Sequence, residues 1–515
     1  MEKQTAASRH GAVVAAIVGA AAVLRLHHLG QESLWVDEAW TLTCTLGSLG
    51  DLVETVRQDV HPPLYYLMVR LWARLLGTGE TLLRLPSVLM STGVVALTYC
   101  LGRRLVGRWA AVVAAAALAV APFQVQYAQE ARSYAQLLLL TVLSMLCLVR
   151  LIDTGGRGWS MGWLGSAAAL VWTHYVGLIV LLCHWAIVLA VLVRDRSGSR
   201  RSAVSPGRWI LLQFVLAVLL LPALVLLLEQ AWARPADFWV PPVSWRALLF
   251  LGGQLTGVLP PAGLIPADWP RVAVVTALAL IGLTALGTSR AARFLLEPGG
   301  VPPAHPRAAL VIASWLLVPI AVATVLSLLG LELFTQRNLL VVTPAFALAV
   351  AALARRVGQP TLRALLVSLL VAAPAANLVG YFATVRKEQW REAGAVARRL
   401  HRPSDRVIAD AWFAEMPFEH YLGREVETVR FFDEGLGAAS RVWVVRSHSR
   451  DRSRVIPRAL VRRGLQPTMA RAFFGVELGL YVRPGDGVEA QGGAAAPAEV
   501  RVIERSPTTP TPPLP

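Results

Sequence analysis

Runs of about 20 apolar residues, separated by short arginine-rich loops, recur through most of this 515-residue chain. A helical run of that length crosses the roughly 30 Å hydrocarbon core of a bilayer. Inside that core the backbone must satisfy its own hydrogen bonds, which favours helices. Composition agrees: 16% of the residues are charged and the mean hydropathy is +0.54, where a soluble domain carries about 25% charge. The sequence therefore predicts an all-α polytopic membrane protein with about eleven transmembrane helices. They fall at 11–28, 82–102, 109–127, 132–152, 160–174, 175–193, 209–229, 271–289, 308–329, 338–354 and 362–382. Between 160 and 193 one long helix competes with two short spans, and two spans restore the alternation of loops.

The arginines test that alternation. Arg103, Arg104 and Arg108 share one loop, Arg150 and Arg157 a second, and Arg194, Arg196, Arg200, Arg201 and Arg208 a third. Arg290, Arg293 and Arg307 share a fourth, and Arg355, Arg356 and Arg363 a fifth. All lie on one side together with Lys3 and Arg9, which the positive-inside rule makes cytoplasmic. The N-terminus is then cytoplasmic, and the outer loops 29–81 and 230–270 and the C-terminus face the other way. The net charge of +17 follows from these loops without a nucleic-acid partner. The first run is followed by Arg25 and His27-His28 instead of a small-residue cleavage site, so it reads as an uncleaved span. The Ala- and Arg-rich composition fits the plasma membrane of a bacterium with GC-rich coding. Cys44, Cys100, Cys147 and Cys183 show no CxxC spacing, so neither a disulfide framework nor a zinc knuckle is suggested.

Residues 64–76 read differently. Leu64, Leu67, Met68, Leu71, Trp72 and Leu75 form one apolar stripe, with Arg70 and Arg74 off it. That is the pattern of an interfacial helix lying in the membrane plane. From about Lys387 the chain turns polar, with a helix expected at 387–401, strands at Val407–Ala411, Arg441–Val445 and Glu477–Val482, and a helix at 454–464. Alternation of this kind predicts a small C-terminal α/β domain. The expected organisation is a transmembrane region over 1–386, an extracytoplasmic domain over 387–483 and a disordered tail over 484–515.

Polar groups gather on the outer side. They include Asp37-Glu38 after the first span, His61-Pro62-Pro63-Leu64-Tyr65-Tyr66, Gln129-Glu130-Ala131-Arg132-Ser133-Tyr134, His174-Tyr175, and Thr335-Gln336-Arg337-Asn338. Such an asymmetry predicts a cavity open to that side. Trp232, Phe238, Trp239, Trp245 and Trp269 in and beside the loop 230–270 read as an interfacial aromatic belt or as the lining of a lipid or sugar path. His174-Tyr175 read as core or interface residues.

One span, an Asp-Glu pair, a His-Pro-Pro-aromatic loop and an acidic-Arg-Tyr turn entering the fourth span, in that order, resemble glycosyltransferase family 39. Its members are the dolichyl-phosphate-mannose protein mannosyltransferases and their bacterial relatives, within the GT-C superfamily. Lys387-Glu388-Gln389-Trp390-Arg391-Glu392 is similar to the same region of bacterial members. The resemblance implies transfer of a sugar from a polyprenyl-phosphate donor to an acceptor on the extracytoplasmic side, with inversion. It leaves the sugar open, and the acceptor open among protein, glycan and lipid.

That chemistry needs a base for the acceptor hydroxyl and cations for the departing phosphate. Asp37 matches the base by position and by resemblance, with Glu38 as its assistant. Arg132 and Arg337 are the candidates for the phosphate, since a guanidinium binds phosphate oxygens in pairs. His61, Glu130, Tyr134 and Tyr65 are candidate substrate-binding residues; His61 reads equally as a structural residue at a helix start. No metal or other cofactor is assigned, because no ligand spacing such as HxxxH occurs; a divalent ion held by His61 with Asp37 or Glu38 stays open. The competing reading is a transporter or flippase of a lipid-linked substrate. Against it stand the absence of a recognisable internal repeat and the placing of the acids in a loop, where transporters bind near the bilayer midplane.

Overall fold

The computed structural model describes residues 2–196, 202–233, 243–257, 305–331, 333–423, 439–447 and 455–485. The expected span at 271–289, Phe238, Trp239 and Trp269, and the expected disordered tail from residue 486 on lie outside the described residues. The chain forms two compact units. One comprises Met1–Leu29 and Cys44–Thr384; the other comprises Gly30–Thr43 and Val385–Pro515.

The first unit is helical. In chain order it contains α1 (Glu2–Leu26), the end of α2 (Val36–Thr45), α3 (Leu49–Arg57), α4 (Leu64–Leu76), α5 (Glu80–Leu105), α6 (Arg108–Val120), α7 (Pro122–Ala128) and α8 (Tyr134–Thr154). There follow α9 (Arg157–Thr173), α10 (Val176–Arg196), α11 (Pro206–Ala233), α12 (Trp245–Leu255) and helices at Ala308–Leu328, Thr343–Arg356 and Pro360–Ala383. Among the described residues, seven helices are long and apolar enough to cross a membrane, and α6 with α7 adds a bent eighth. The apolar stretch His10–Leu26 of α1 and the 17-residue α9 occupy the other expected span positions, and His174-Tyr175 divides α9 from α10, so 160–193 is two helices.

Small residues let these helices approach closely, as membrane helix interfaces favour. A Cβ on Gly102 of α5 would come within 2.6 Å of Leu348 and 3.1 Å of Ala111. The 59° bend at Ala121-Pro122 leaves carbonyls of α6 without helical partners. The fully buried Arg25 meets two of them, donating to Leu118 O (3.0 Å) and Ala119 O (3.0 Å), and also to Ala21 O and Ser91 Oγ. The arginine loops serve the fold in the same manner. Asp153 takes Arg104 at 3.0 Å, His305 at 3.0 Å and Arg307 at 3.5 Å, while Arg208 and Arg355 donate to the carbonyls of Gly155 and Val106.

α4 keeps Leu67, Leu71 and Leu75 exposed, as an interfacial helix should, but Arg70 is not on a solvated face. It is buried and donates to the carbonyls of Thr45, Leu46 and Gly47. A cation there satisfies the open carbonyls at the end of α2 and complements its dipole.

The second unit holds a four-stranded sheet in the order β1 (Arg406–Ala409), β2 (Arg441–Arg446), β4 (Val476–Val482), β3 (Gln466–Phe473). β1 pairs parallel with β2, and the other pairs are antiparallel. The expected strands and helices are present. β3 and a helix at Trp412–Leu422 were not anticipated, because β3 is a largely exposed edge without an apolar alternation and the helix carries Pro417 inside it. The helix Trp390–Leu400 buries Trp390, Ala393, Gly394 and Ala397, one face at helical spacing. Any Cβ on Gly394 would meet Tyr421 at 2.7 Å, so the two helices touch through a glycine.

Candidate active site

Two groups of side chains carry chemistry, one in each unit. In the helical unit, α3 ends at Arg57 and α4 begins at Leu64, and the segment between them carries Asp59 and His61. Pro62-Pro63 fixes its φ angles and suits a helix start. Gln230 of α11 holds the segment from below: its Nε2 donates to Val56 O (2.7 Å) and His61 O (3.3 Å), and its Oε1 accepts from Tyr175 Oη (2.8 Å).

Asp59 is the centre of this group. Its Oδ2 accepts from Tyr66 Oη at 2.5 Å, and His61 Nδ1 lies 3.4 Å from the carboxylate. Arg132 Nη1 donates to the same Tyr66 oxygen at 3.2 Å. Burial alone would raise the Asp59 carboxyl, but His61, Arg132 and the Tyr66 hydroxyl outweigh it and hold the group well below the usual carboxylate range. Burial, with Asp59 adding to it, pushes the Tyr66 hydroxyl well above its ordinary range. Tyr66 is therefore a neutral donor to an ionised carboxylate, and Arg132 stands behind both.

Three rings adjoin this network. His61 and His174 lie 4.8 Å apart, His174 and Tyr134 5.6 Å, and His61 and Tyr134 6.5 Å. Arg337, at the start of the 3-10 turn Asn338–Val342, places its guanidinium 5.8 Å from the Tyr134 ring. Arg132, Arg337, His61 and Tyr134, proposed from three sequence segments, thus converge. Glu130 accepts from Gln126 at 3.3 Å. The Tyr65 hydroxyl lies 3.4 Å from Ser87 Oγ on α5, so its neighbour Tyr66 is the tyrosine that joins Asp59.

Asp37 and Glu38 open α2 in the second unit. Glu38 is fully buried: its Oε2 lies 3.0 Å from Lys387 Nζ and 3.5 Å from the backbone N–H of Trp35. It holds α2 to the chain at 387 and caps its first turn. The residues before it are fastened to the same region. Glu32 takes Arg386 at 2.8 Å, Ser33 Oγ donates to Glu388 O, and Leu34 N donates to Tyr421 Oη at 2.7 Å. Asp37, on the first turn, is half-buried.

Asp59, Tyr66, His174 and Gln230 were missed at the sequence level. Asp59, two residues before His61, was the one open to discovery, as an acid inside the outer loop. His174-Tyr175, read as core or interface, is buried but belongs to the ring group around His61. The described residues hold no group of three or more His, Cys, Asp or Glu side chains arranged to take a metal ion.

These features define a multi-pass helical membrane protein with a small mixed-sheet domain. Residues 60–265 match the family model described as dolichyl-phosphate-mannose-protein mannosyltransferase, the group that the motifs resemble. The match takes in His61, Glu130, Arg132, Tyr134 and His174, and leaves Asp37, Glu38 and Arg337 outside it. Among solved structures, the chain is similar to ArnT from Cupriavidus metallidurans bound to undecaprenyl phosphate, at 15% identity and a TM-score of 0.50, over 91% of this chain and 97% of that one. The apo state of the same protein aligns at 15% identity, a TM-score of 0.47 and the same coverage. The oligosaccharyltransferase of Archaeoglobus fulgidus, in complex with Zn and sulfate, aligns at 15% identity and a TM-score of 0.49 over 84% of this chain and 68% of that one. No curated protein matches the chain by sequence.

Proposed function

We propose that the chain moves a sugar from a polyprenyl-phosphate donor to an acceptor hydroxyl on the extracytoplasmic side of the plasma membrane, with inversion. The observation that carries this reading is the convergence of the buried Arg132, His61 and Tyr134 with the half-buried Arg337. Two guanidiniums beside hydrogen-bonding rings suit a phosphate that gains charge as its sugar leaves. A lipid-phosphate sugar stays at the membrane surface, and a glycosyltransferase match with spanning helices fits such a donor. The similar ArnT structure carries undecaprenyl phosphate, a ligand of this chemical class.

Asp37 serves as the base that takes the acceptor proton, from the first turn of α2. Glu38 acts through Lys387 to hold that turn, which makes it a positioning residue. Arg132 and Arg337 bind the donor phosphate, while His61, Tyr134, Glu130 and Tyr65 line the sugar and headgroup. Asp59 fixes Tyr66 and His61 and reduces the net positive charge of the group, so the phosphate remains able to leave.

Purified protein in lipid nanodiscs, given a labelled polyprenyl-phosphate sugar and candidate acceptors, should release polyprenyl phosphate and a labelled glycoside together. Movement of the intact labelled lipid between leaflets without product would instead identify a flippase and end this reading.

A further inference from the structure

His174 caps the C-terminal end of α9, and its ring lies at the meeting point of His61 and Tyr134. It is 7% exposed. The backbone N–H of Val176 donates to its Nδ1 at 3.2 Å. An amide N–H only donates, so Nδ1 carries the lone pair, and the ring's hydrogen sits on Nε2. That Nε2–H is buried and has no hydrogen-bond partner among the described residues. A buried donor without an acceptor carries a desolvation penalty that a ligand oxygen would remove.

We propose that His174 binds the donor, giving its Nε2–H to a phosphate oxygen. This rests on the polyprenyl-phosphate reading above and deepens it. The neighbours define the ligand's charge. The His174 ring stands 5.6 Å from Tyr134, which carries the Arg337 guanidinium at 5.8 Å on its ring. Arg132 reaches the other flank through Tyr66. An oxygen entering between them meets two cations and one neutral donor, the surroundings that suit an anion with several acceptor oxygens. A bare sugar hydroxyl would use the guanidiniums poorly, since they offer donors only. His174 adds direction where the arginines add charge, because its single N–H is fixed by the Val176 bond on the far side of the ring. The chemistry is shared by a lipid phosphate and by free phosphate.

Two substitutions separate this role from a structural one. In His174→Gln the terminal amide occupies the place of Nε2 and retains a donor, while the bond from Val176 is lost. In His174→Asn the amide oxygen replaces Nδ1 and retains the Val176 bond, while the distal donor is lost. Binding of polyprenyl phosphate, and separately of inorganic phosphate, is measured on the full chain in nanodiscs, with thermal unfolding as a second readout. His174→Gln should bind polyprenyl phosphate within about threefold of the unsubstituted protein, and His174→Asn about tenfold more weakly, the loss of one hydrogen bond to a charged acceptor. The same ordering with inorganic phosphate assigns the contact to the free anion, and an ordering seen only with the lipid assigns it to the headgroup; both sustain the proposal. Equal losses in the two variants, the reverse ordering, or unaltered binding in His174→Asn would overturn it, as would no binding of either ligand by the unsubstituted protein. Sugar transfer is assayed apart from this. Discrimination between the variants without transfer would sink the enzyme reading alone, and transfer without discrimination would sink the His174 role alone.

Discussion

Glu38 Oε2 lies 3.0 Å from Lys387 Nζ across 349 residues of sequence, with the carboxylate fully buried and the lysine nearly so. The pair joins the segment after the first span to the chain just before the helix Trp390–Leu400. Asp37 precedes Glu38 on the same helical turn, so the pair holds the proposed base in place. Of two adjacent acids that look alike in sequence, Glu38 is fully buried against Lys387 and Asp37 is half-buried.

Removing one member of such a buried pair leaves the other charge without compensation, at a cost of about 3–5 kcal/mol. Lys387→Ala and Glu38→Ala should each lower the thermal midpoint sharply, and Glu38→Gln with Lys387→Met should recover much of the loss. Unfolding followed by tryptophan fluorescence in detergent measures this. Single and double variants melting together at the unsubstituted midpoint would show that the pair contributes nothing.

Asp37→Asn keeps the size and the helix start of the residue and removes the base. Transfer of labelled sugar should fall by about 10²-fold or more, with binding of polyprenyl phosphate unchanged. Retained turnover in the Asn variant would move the base to another residue.

Arg337→Gln removes a guanidinium beside Tyr134 and should weaken donor binding about tenfold or more while sparing the acceptor, as loss of a charge-assisted contact predicts. Separate titrations of donor and acceptor decide it; equal rises in both apparent constants would point to a general loss of packing.

Asp59 gives a pH dependence whose sign follows from its lowered carboxyl. The unfolded group titrates near pH 4, and the folded one lower. Its stabilisation is complete above about pH 4 and is lost as the pH falls from there toward the folded value. The difference in melting temperature between the protein and Asp59→Asn should be constant from pH 8 to 5 and narrow below about pH 4. A difference that grew on acidification would contradict the ionised Asp59–Tyr66–Arg132 network.

Much of the fold was legible because membrane helices announce themselves locally. Length and apolarity placed the spans, and the arginine loops gave their alternation; the division of 160–193 at His174-Tyr175 followed from it. Edges and exceptions were less legible. β3 buries little, so no alternation marked it, and Pro417 masks the helix around it. Arg70 looked like a solvated residue on an amphipathic helix, yet it is buried against three carbonyls, because the partner that attracts it is the end of another helix. In the candidate site, Arg132, Arg337, His61 and Tyr134 were nominated by residue type and side of the membrane. Asp59, Tyr66, Gln230 and His174 were not, since each gains its role from a neighbour distant in sequence or from burial.

The sequence by itself determined a multi-span helical protein, its arginine-bearing side and the polar segments opposite. Those properties depend on hydropathy and charge summed along the chain, which folding does not alter. Only the tertiary structure decided that Glu38 is spent on Lys387, that Tyr66 instead of Tyr65 meets Asp59, and that His174 presents a buried N–H beside His61. Those depend on which side chains the folded chain brings within bonding distance, from Asp59 and Tyr66, seven residues apart, to Glu38 and Lys387, 349 apart, and on removal from water, which gives each unmatched donor or charge its cost.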